Sequence, residues 1–194
     1  MRSFGPVVCS MISVAQAFAF AAMSDSARAE SAKPPALEVG MRLPLLTGEY
    51  LTGRKAALPD AAAGKITLLA LGFTYNSRFA VEEWTKRFRD SLGGDPGVTF
   101  YEIPMLGGMA RMGRWFIDSG MRKGTPKELH ENVITVYGGT GPWKQRLRYG
   151  EEKAAYLVLL DRTGTVRWLY AGLFDEARFK DLVSSVSTIS ASPQ

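Results

Sequence analysis

The chain has 194 residues, of which 46% are hydrophobic and 22% charged, with a formal net charge of +5. That balance supports one globular domain with a sizeable core and excludes disordered and collagen-like chains. The basic residues are spread along the chain rather than gathered in a block, which reads as a solvated face and excludes a nucleic-acid-binding role.

The first 29 residues form a secretory signal pattern. Arg2 gives a positive start, an apolar run extends from Phe4 to Met23, and Ala27 and Ala29 are the small residues a signal peptidase needs before Glu30. The rival reading is an uncleaved inner-membrane anchor through residues 4–23, since the run approaches the ~20 residues that span a bilayer; Pro6, Ser10, Ser13 and Gln16 interrupt it. Cleavage removes Cys9, the only cysteine, together with Arg2, Asp25 and Arg28, and takes the net charge from +5 to +4. A periplasmic or secreted location is therefore expected. Residues 30–37, with two prolines among small and polar residues, read as a flexible leader, and the domain proper is expected over residues 38–190.

Short apolar pieces between Gly and Pro turns predict a hairpin before the main sheet. Lys65 to Phe73 is a nearly continuous apolar run, as in a central strand buried on both faces. The helix that follows places Val81, Trp84, Phe88 and Leu92 on one face, with Asn76 or Ser77 as its cap and Glu82 and Glu83 four residues before Lys86 and Arg87. Val98 to Pro104 reads as the next strand, closed by the proline. A helical stretch around Met109 to Ile117, broken by Gly120, and a short turn opened by Pro126 lead to a third buried strand at Val133 to Gly138. Pro142 opens another short helix. A hairpin turning at Asp161 to Gly164 and a last helix capped by Asp175, with Phe174 and Phe179 placed as a staple, complete the chain.

This order implies an α/β fold, a central mixed sheet flanked by helices with an N-terminal hairpin. With "VGMRLPLLTGEYLTG", "GKITLLALGFTYNSRFAVEEW" and "AYLVLLDRTGTVRW" in that order, the sequence resembles the thioredoxin-like superfamily, above all its peroxiredoxin-like and exported branches, over residues 38–188. More narrowly, "KITLLALGF" leading to "EEWTKRF", "FYEIPML" and "GMRKGTPKELHENVITVYGG" resemble the mitochondrial ATP synthase assembly factor ten family. Redox members of the superfamily open the first long helix with Cys-x-x-Cys, where the helix N-terminus stabilises a thiolate. The matching place here, Tyr75 to Phe79, holds no sulfur, and thiol-disulfide exchange requires one. Redox members also carry a cis-proline where this chain has Ala155. A cis bond there would cost about 3–4 kcal/mol, so a trans bond is expected.

The narrower resemblance implies a non-catalytic, chaperone-like binding or assembly factor for an envelope or membrane complex. Its partner would be a protein, with no nucleic acid, no cofactor and no membrane contact other than through an uncleaved signal. The expected binding surface comprises Tyr75, Asn76, Ser77, Arg78, Met105, Met109, Met112, Arg122, Lys123 and Ala155. The alternative is an enzyme or copper carrier with a non-thiol site. Met105, Met109, Met112 and His130 offer thioether and imidazole groups suited to Cu(I), although the methionine spacing is also that of an ordinary helical stripe.

Overall fold

A computed structural model of the chain describes residues 33–191, with the side chains of Met109 and Arg111 left outside that description. The expected signal segment 1–29 and Cys9 lie outside the described residues. Residues from Pro35 onward form one compact unit, and no helix among the described residues is long and apolar enough to cross a membrane.

The sheet has seven strands: β1 (Leu46–Tyr50), β2 (Lys55–Leu58), β3 (Ile66–Gly72), β4 (Val98–Leu106), β5 (Ile134–Tyr137), β6 (Ala155–Leu160) and β7 (Val166–Gly172). Their order across the sheet is β2-β1-β5-β4-β3-β6-β7. β3, β4 and β5 run parallel, and β1, β2, β6 and β7 join antiparallel on the two sides. The N-terminal hairpin is thus an extension of the main sheet through Glu49 opposite Thr135. β3 is buried over six of its seven residues because both faces are covered, which explains its unbroken apolar run.

Four helices accompany the sheet: α1 (Arg78–Leu92), α2 (Arg114–Gly124), α3 (Thr140–Arg146) and α4 (Glu176–Ala191). On one face Ile66, Leu68 and Ala70 of β3 pack with Val81, Trp84 and Phe88 of α1 and with Phe179, Leu182 and Val186 of α4. Trp84 sits inside an aromatic box, its ring 5.0 Å from Phe174 and 5.4 Å from Tyr170. On the other face Leu69, Leu71 and Ile103 pack with Tyr50 and Leu58 of the hairpin and Trp143 of α3. Asp175 caps α4 by accepting the Arg178 N–H at 2.8 Å, and Phe174 lies 5.8 Å from Phe179 as the staple requires.

Several local expectations are corrected. Leu37, placed in the flexible leader, is 5% exposed and donates its N–H to the Arg146 carbonyl at 2.8 Å. β4 does not stop at Pro104 but runs on to Leu106. The proline leaves its mark in the pairing with β5, which breaks between the Glu102–Val133 bridge and the Met105–Val136 pair, because Pro104 has no N–H to give. The helix expected over Met109 to Ile117 is a 3-10 turn at Gly108–Arg111 followed by α2, which passes through Gly120. The methionine stripe begins inside a strand and is cut by Gly107, Gly108 and Gly113, so helical spacing there does not mean one helix. In α1, Lys86 pairs with Asp90 at 3.1 Å, four residues on, rather than with Glu82.

Candidate functional site

The parallel strands β3 and β4 end at the same rim of the sheet, where Gly72 pairs with Pro104. Open α/β sheets bind their ligands beyond the carboxyl ends of such strands. From Gly72 the chain enters the loop Phe73 to Ser77 and then α1, so Tyr75, Asn76, Arg78 and Phe79 are presented together at this rim.

The loop is closed by a hydroxyl clasp. The Thr74 N–H donates to Ser77 Oγ at 3.2 Å, Ser77 Oγ–H donates to the Thr74 carbonyl at 2.8 Å, and the Ser77 N–H donates to Thr74 Oγ1 at 3.1 Å. Thr74 Oγ1 in turn donates to the Glu152 carbonyl at 2.6 Å, tying the loop to the segment that leads into β6. Ser77 is fully buried and makes no side-chain cap to α1. The expected capping role is therefore corrected: the hydroxyl is turned back into the loop, where both of its hydrogen-bonding functions are in use. A serine so held is no free nucleophile.

Outside the clasp lies an exposed stack. The Arg78 guanidinium sits 4.2 Å from the centre of the Tyr75 ring and 4.5 Å from that of Phe79. Tyr75 is 72% and Phe79 56% exposed, and Leu173, just past the end of β7, is 59% exposed. Tyr75, Arg78 and Phe79 thus form an exposed cationic and aromatic platform, chemistry that favours protein surfaces over small polar substrates.

The other predicted site residues separate. Ala155 opens β6 opposite Gly172 and is fully buried, so it offers no side chain to a partner. The bond before it is trans, the cis bond among the described residues being Leu58–Pro59. Met105 is 1% exposed within the core on β4, whereas Met112 is 94% exposed. A core thioether and one pointing to solvent do not converge on one ion. His130 has a ring nitrogen 3.0 Å from the Thr125 carbonyl. The described residues contain no cluster of three or more His, Cys, Asp or Glu groups that could hold a metal. Arg122 and Lys123 are exposed on the last turn of α2, and Arg122 also donates to the Leu51 carbonyl at 3.2 Å.

Three carboxylates have perturbed titration, one of them the exposed Glu131, which hydrogen bonds from Thr52 and Arg54 hold below the usual carboxylate range. Burial pushes the Glu102 carboxyl up, against the Thr85 hydroxyl that donates to it at 2.6 Å. Asp161 is moved the other way: burial opposes its ionisation, but hydrogen bonds from Thr163, Thr165 and Arg167 outweigh this and hold it below the usual carboxylate range. Glu102 lies on the α1 face of β4 and Asp161 in the β6–β7 turn, and neither touches the platform.

A family model described as ATP10 protein matches residues 37–189. The chain belongs to the ATP10 protein family. The match begins at Leu37, the first core residue, and ends within α4. No curated protein sequence matches this ATP10-family chain significantly. Among solved structures it is similar to the thioredoxin domain of a thiol-disulfide oxidoreductase from Bacteroides vulgatus, with a TM-score of 0.52 and 19% identity over 78% of this chain and 99% of that one. It is also similar to BsSco, a member of the Sco family of cytochrome c oxidase assembly proteins, with a TM-score of 0.56 and 12% identity over 81% and 98%. The thiol peroxidase from Chromobacterium violaceum matches with a TM-score of 0.52 and 17% identity over 79% and 90%. At these identities the likeness is one of fold, and the fold is thioredoxin-like.

Sequence reasoning named Tyr75, Asn76, Ser77 and Arg78, and the structure adds Thr74 to the clasp and Phe79 to the stack. The signal for Thr74 was present as Thr-x-x-Ser, the same spacing as the Cys-x-x-Cys of redox thioredoxin-like proteins. The signal for Phe79 was its place one residue after Arg78 and four after Tyr75, which gathers the loop and the first turn of α1 around one cation.

Proposed function

We propose that this ATP10-family protein is a non-redox binding factor that assists the assembly of an envelope or membrane complex by holding a protein subunit against the rim of its thioredoxin-like fold. The observation that carries the reading is the hydroxyl clasp of Thr74 and Ser77 beneath the exposed Tyr75–Arg78–Phe79 platform. The rim has no sulfur to exchange, yet it keeps a large aromatic and cationic surface uncovered. Arginine and aromatic side chains dominate protein–protein binding energy. The family supports an assembly role, and the N-terminal signal pattern supports export to the periplasm or beyond.

Crosslinking of the tagged full chain in intact cells, read by mass spectrometry, tests this. A membrane-complex subunit should be captured by the native protein and lost from a Tyr75→Ala/Arg78→Glu variant whose thermal unfolding is unchanged. Reduction of insulin disulfides or of peroxide at enzyme-like rates, or capture unaffected by the variant, would overturn it.

A further inference from the structure

Helix α2 is mounted with its polar side inward. Arg114 pairs with Glu49 of β1 and donates to Asp118 at 3.3 Å, and Asp118 accepts the Tyr137 hydroxyl of β5 at 2.7 Å. None of its residues is buried. While Ile117 and Met121 are half-buried, Trp115 and Phe116 face out: they are 70% and 75% exposed, edge to face at 4.9 Å, and Met112, just before the helix, is 94% exposed. By helical spacing Lys123 falls on the same outward arc as Trp115 and Phe116. It is exposed and has no acidic partner among the described residues.

We infer that the outer face of α2 is an interfacial helix that rests on an anionic lipid surface, with Trp115, Phe116 and Met112 at the headgroup boundary and Lys123 on lipid phosphates. Two arguments select this occupant. Aromatic residues with one polar edge settle at the membrane interface, and basic residues beside them are drawn to anionic headgroups. Aromatic side chains bury about 150–250 Å² each, so the patch falls short of the ~800 Å² per partner of a stable protein interface. The contact differs from the expectation that the chain meets a membrane only through residues 4–23, and it stands independently of what the Tyr75–Arg78–Phe79 platform binds.

The test uses the full chain. Because residues 4–23 could hold it to vesicles unaided, the readout is amide hydrogen exchange along Met112 to Lys123 rather than sedimentation. Vesicles of phosphatidylcholine with phosphatidylglycerol should slow exchange there at least tenfold, pure phosphatidylcholine should do much less, and a Trp115→Ser/Phe116→Ser variant with unchanged thermal unfolding should abolish the effect. Unslowed exchange in vesicle-bound protein, slowing that survives the double variant, or slowing without lipid that grows with protein concentration would each overturn the inference, the last by showing that a second copy covers the face.

Discussion

Ser77 Oγ donates to the carbonyl of Thr74 at 2.8 Å while the Ser77 N–H donates to Thr74 Oγ1 at 3.1 Å, so two hydroxyl residues three apart hold each other's backbone at the mouth of α1. The arrangement occupies the place where a reactive pair would sit and makes it structural. Ser77→Ala deletes one donor and leaves the Thr74 N–H without its acceptor. The expected cost is about 1–3 kcal/mol, read as a lowered midpoint in urea with unchanged slope.

Gly72 leaves room for that clasp. A methyl group placed on it would lie 2.8 Å from Ser77 Oγ and 3.3 Å from Val81 Cγ2. Gly72→Ala is expected to push Ser77 out of its bonds and destabilise by about 1–3 kcal/mol, the usual range for overpacking. Combined with Ser77→Ala it should cost less than the sum of the two, since the hydroxyl it strikes is gone. A double-mutant cycle in urea measures the difference.

Asp161 sets a low-pH limit. Its carboxylate accepts from the Thr163 N–H at 2.8 Å, the Thr165 N–H at 3.0 Å and Arg167 Nε at 2.7 Å. Its folded pKa is lowered, so its contribution is present above the unfolded carboxylate value of about 3.9 and is lost as the pH falls through the folded value. Asp161→Asn keeps one acceptor oxygen but loses the charge. It should cost about 1.5–3 kcal/mol at pH 7, and the gap from the native protein should close in acid. Thermal unfolding from pH 7 down to pH 2 checks both statements.

Glu102 carries the opposite sign. Its folded pKa is raised by burial, so the folded state binds the proton more tightly than the unfolded chain does, and stability contributed by this group grows as the pH falls through the folded value. Glu102→Gln keeps an oxygen for the Thr85 hydroxyl and removes the buried charge. The variant is expected to be at least as stable as the native protein at pH 7 and to lose that advantage near pH 4. Equal loss of stability at both pH values would mean that the side chain holds its place by shape rather than charge.

Where one periodicity had no competitor, the fold was legible in the sequence. Val81, Trp84 and Phe88 repeat as only a helix repeats, and Asp161 to Gly164 turns between two alternating runs. Met105 was misplaced because its spacing to Met109 and Met112 is helical while its spacing to Tyr101 and Ile103 is that of a strand. Pairing with Val136, distant along the chain but adjacent in the sheet, decides between them. The site was half legible for a similar reason. Tyr75 and Arg78 announce themselves as a large ring and a cation near a helix start, whereas the burial of Ser77 depends on a glycine five residues earlier and on the Glu152 carbonyl far along the chain. The outward turn of Trp115 and Phe116 was the least readable, since an amphipathic pattern states which residues share a face and not which face meets the sheet.

A stretch near the start of the domain is held by β7, one of its last elements. The Gly40 N–H donates to the Val166 carbonyl at 2.8 Å, the Val166 N–H donates to that of Met41 at 2.8 Å, and Arg42 bridges Thr165. During synthesis at about 5–20 residues per second, roughly ten seconds separate the appearance of these partners. Throughout that interval the main chain of Gly40 to Arg42 lacks the strand it bonds to, so any machinery that must seize, thread or cut this stretch meets it before the sheet can claim it.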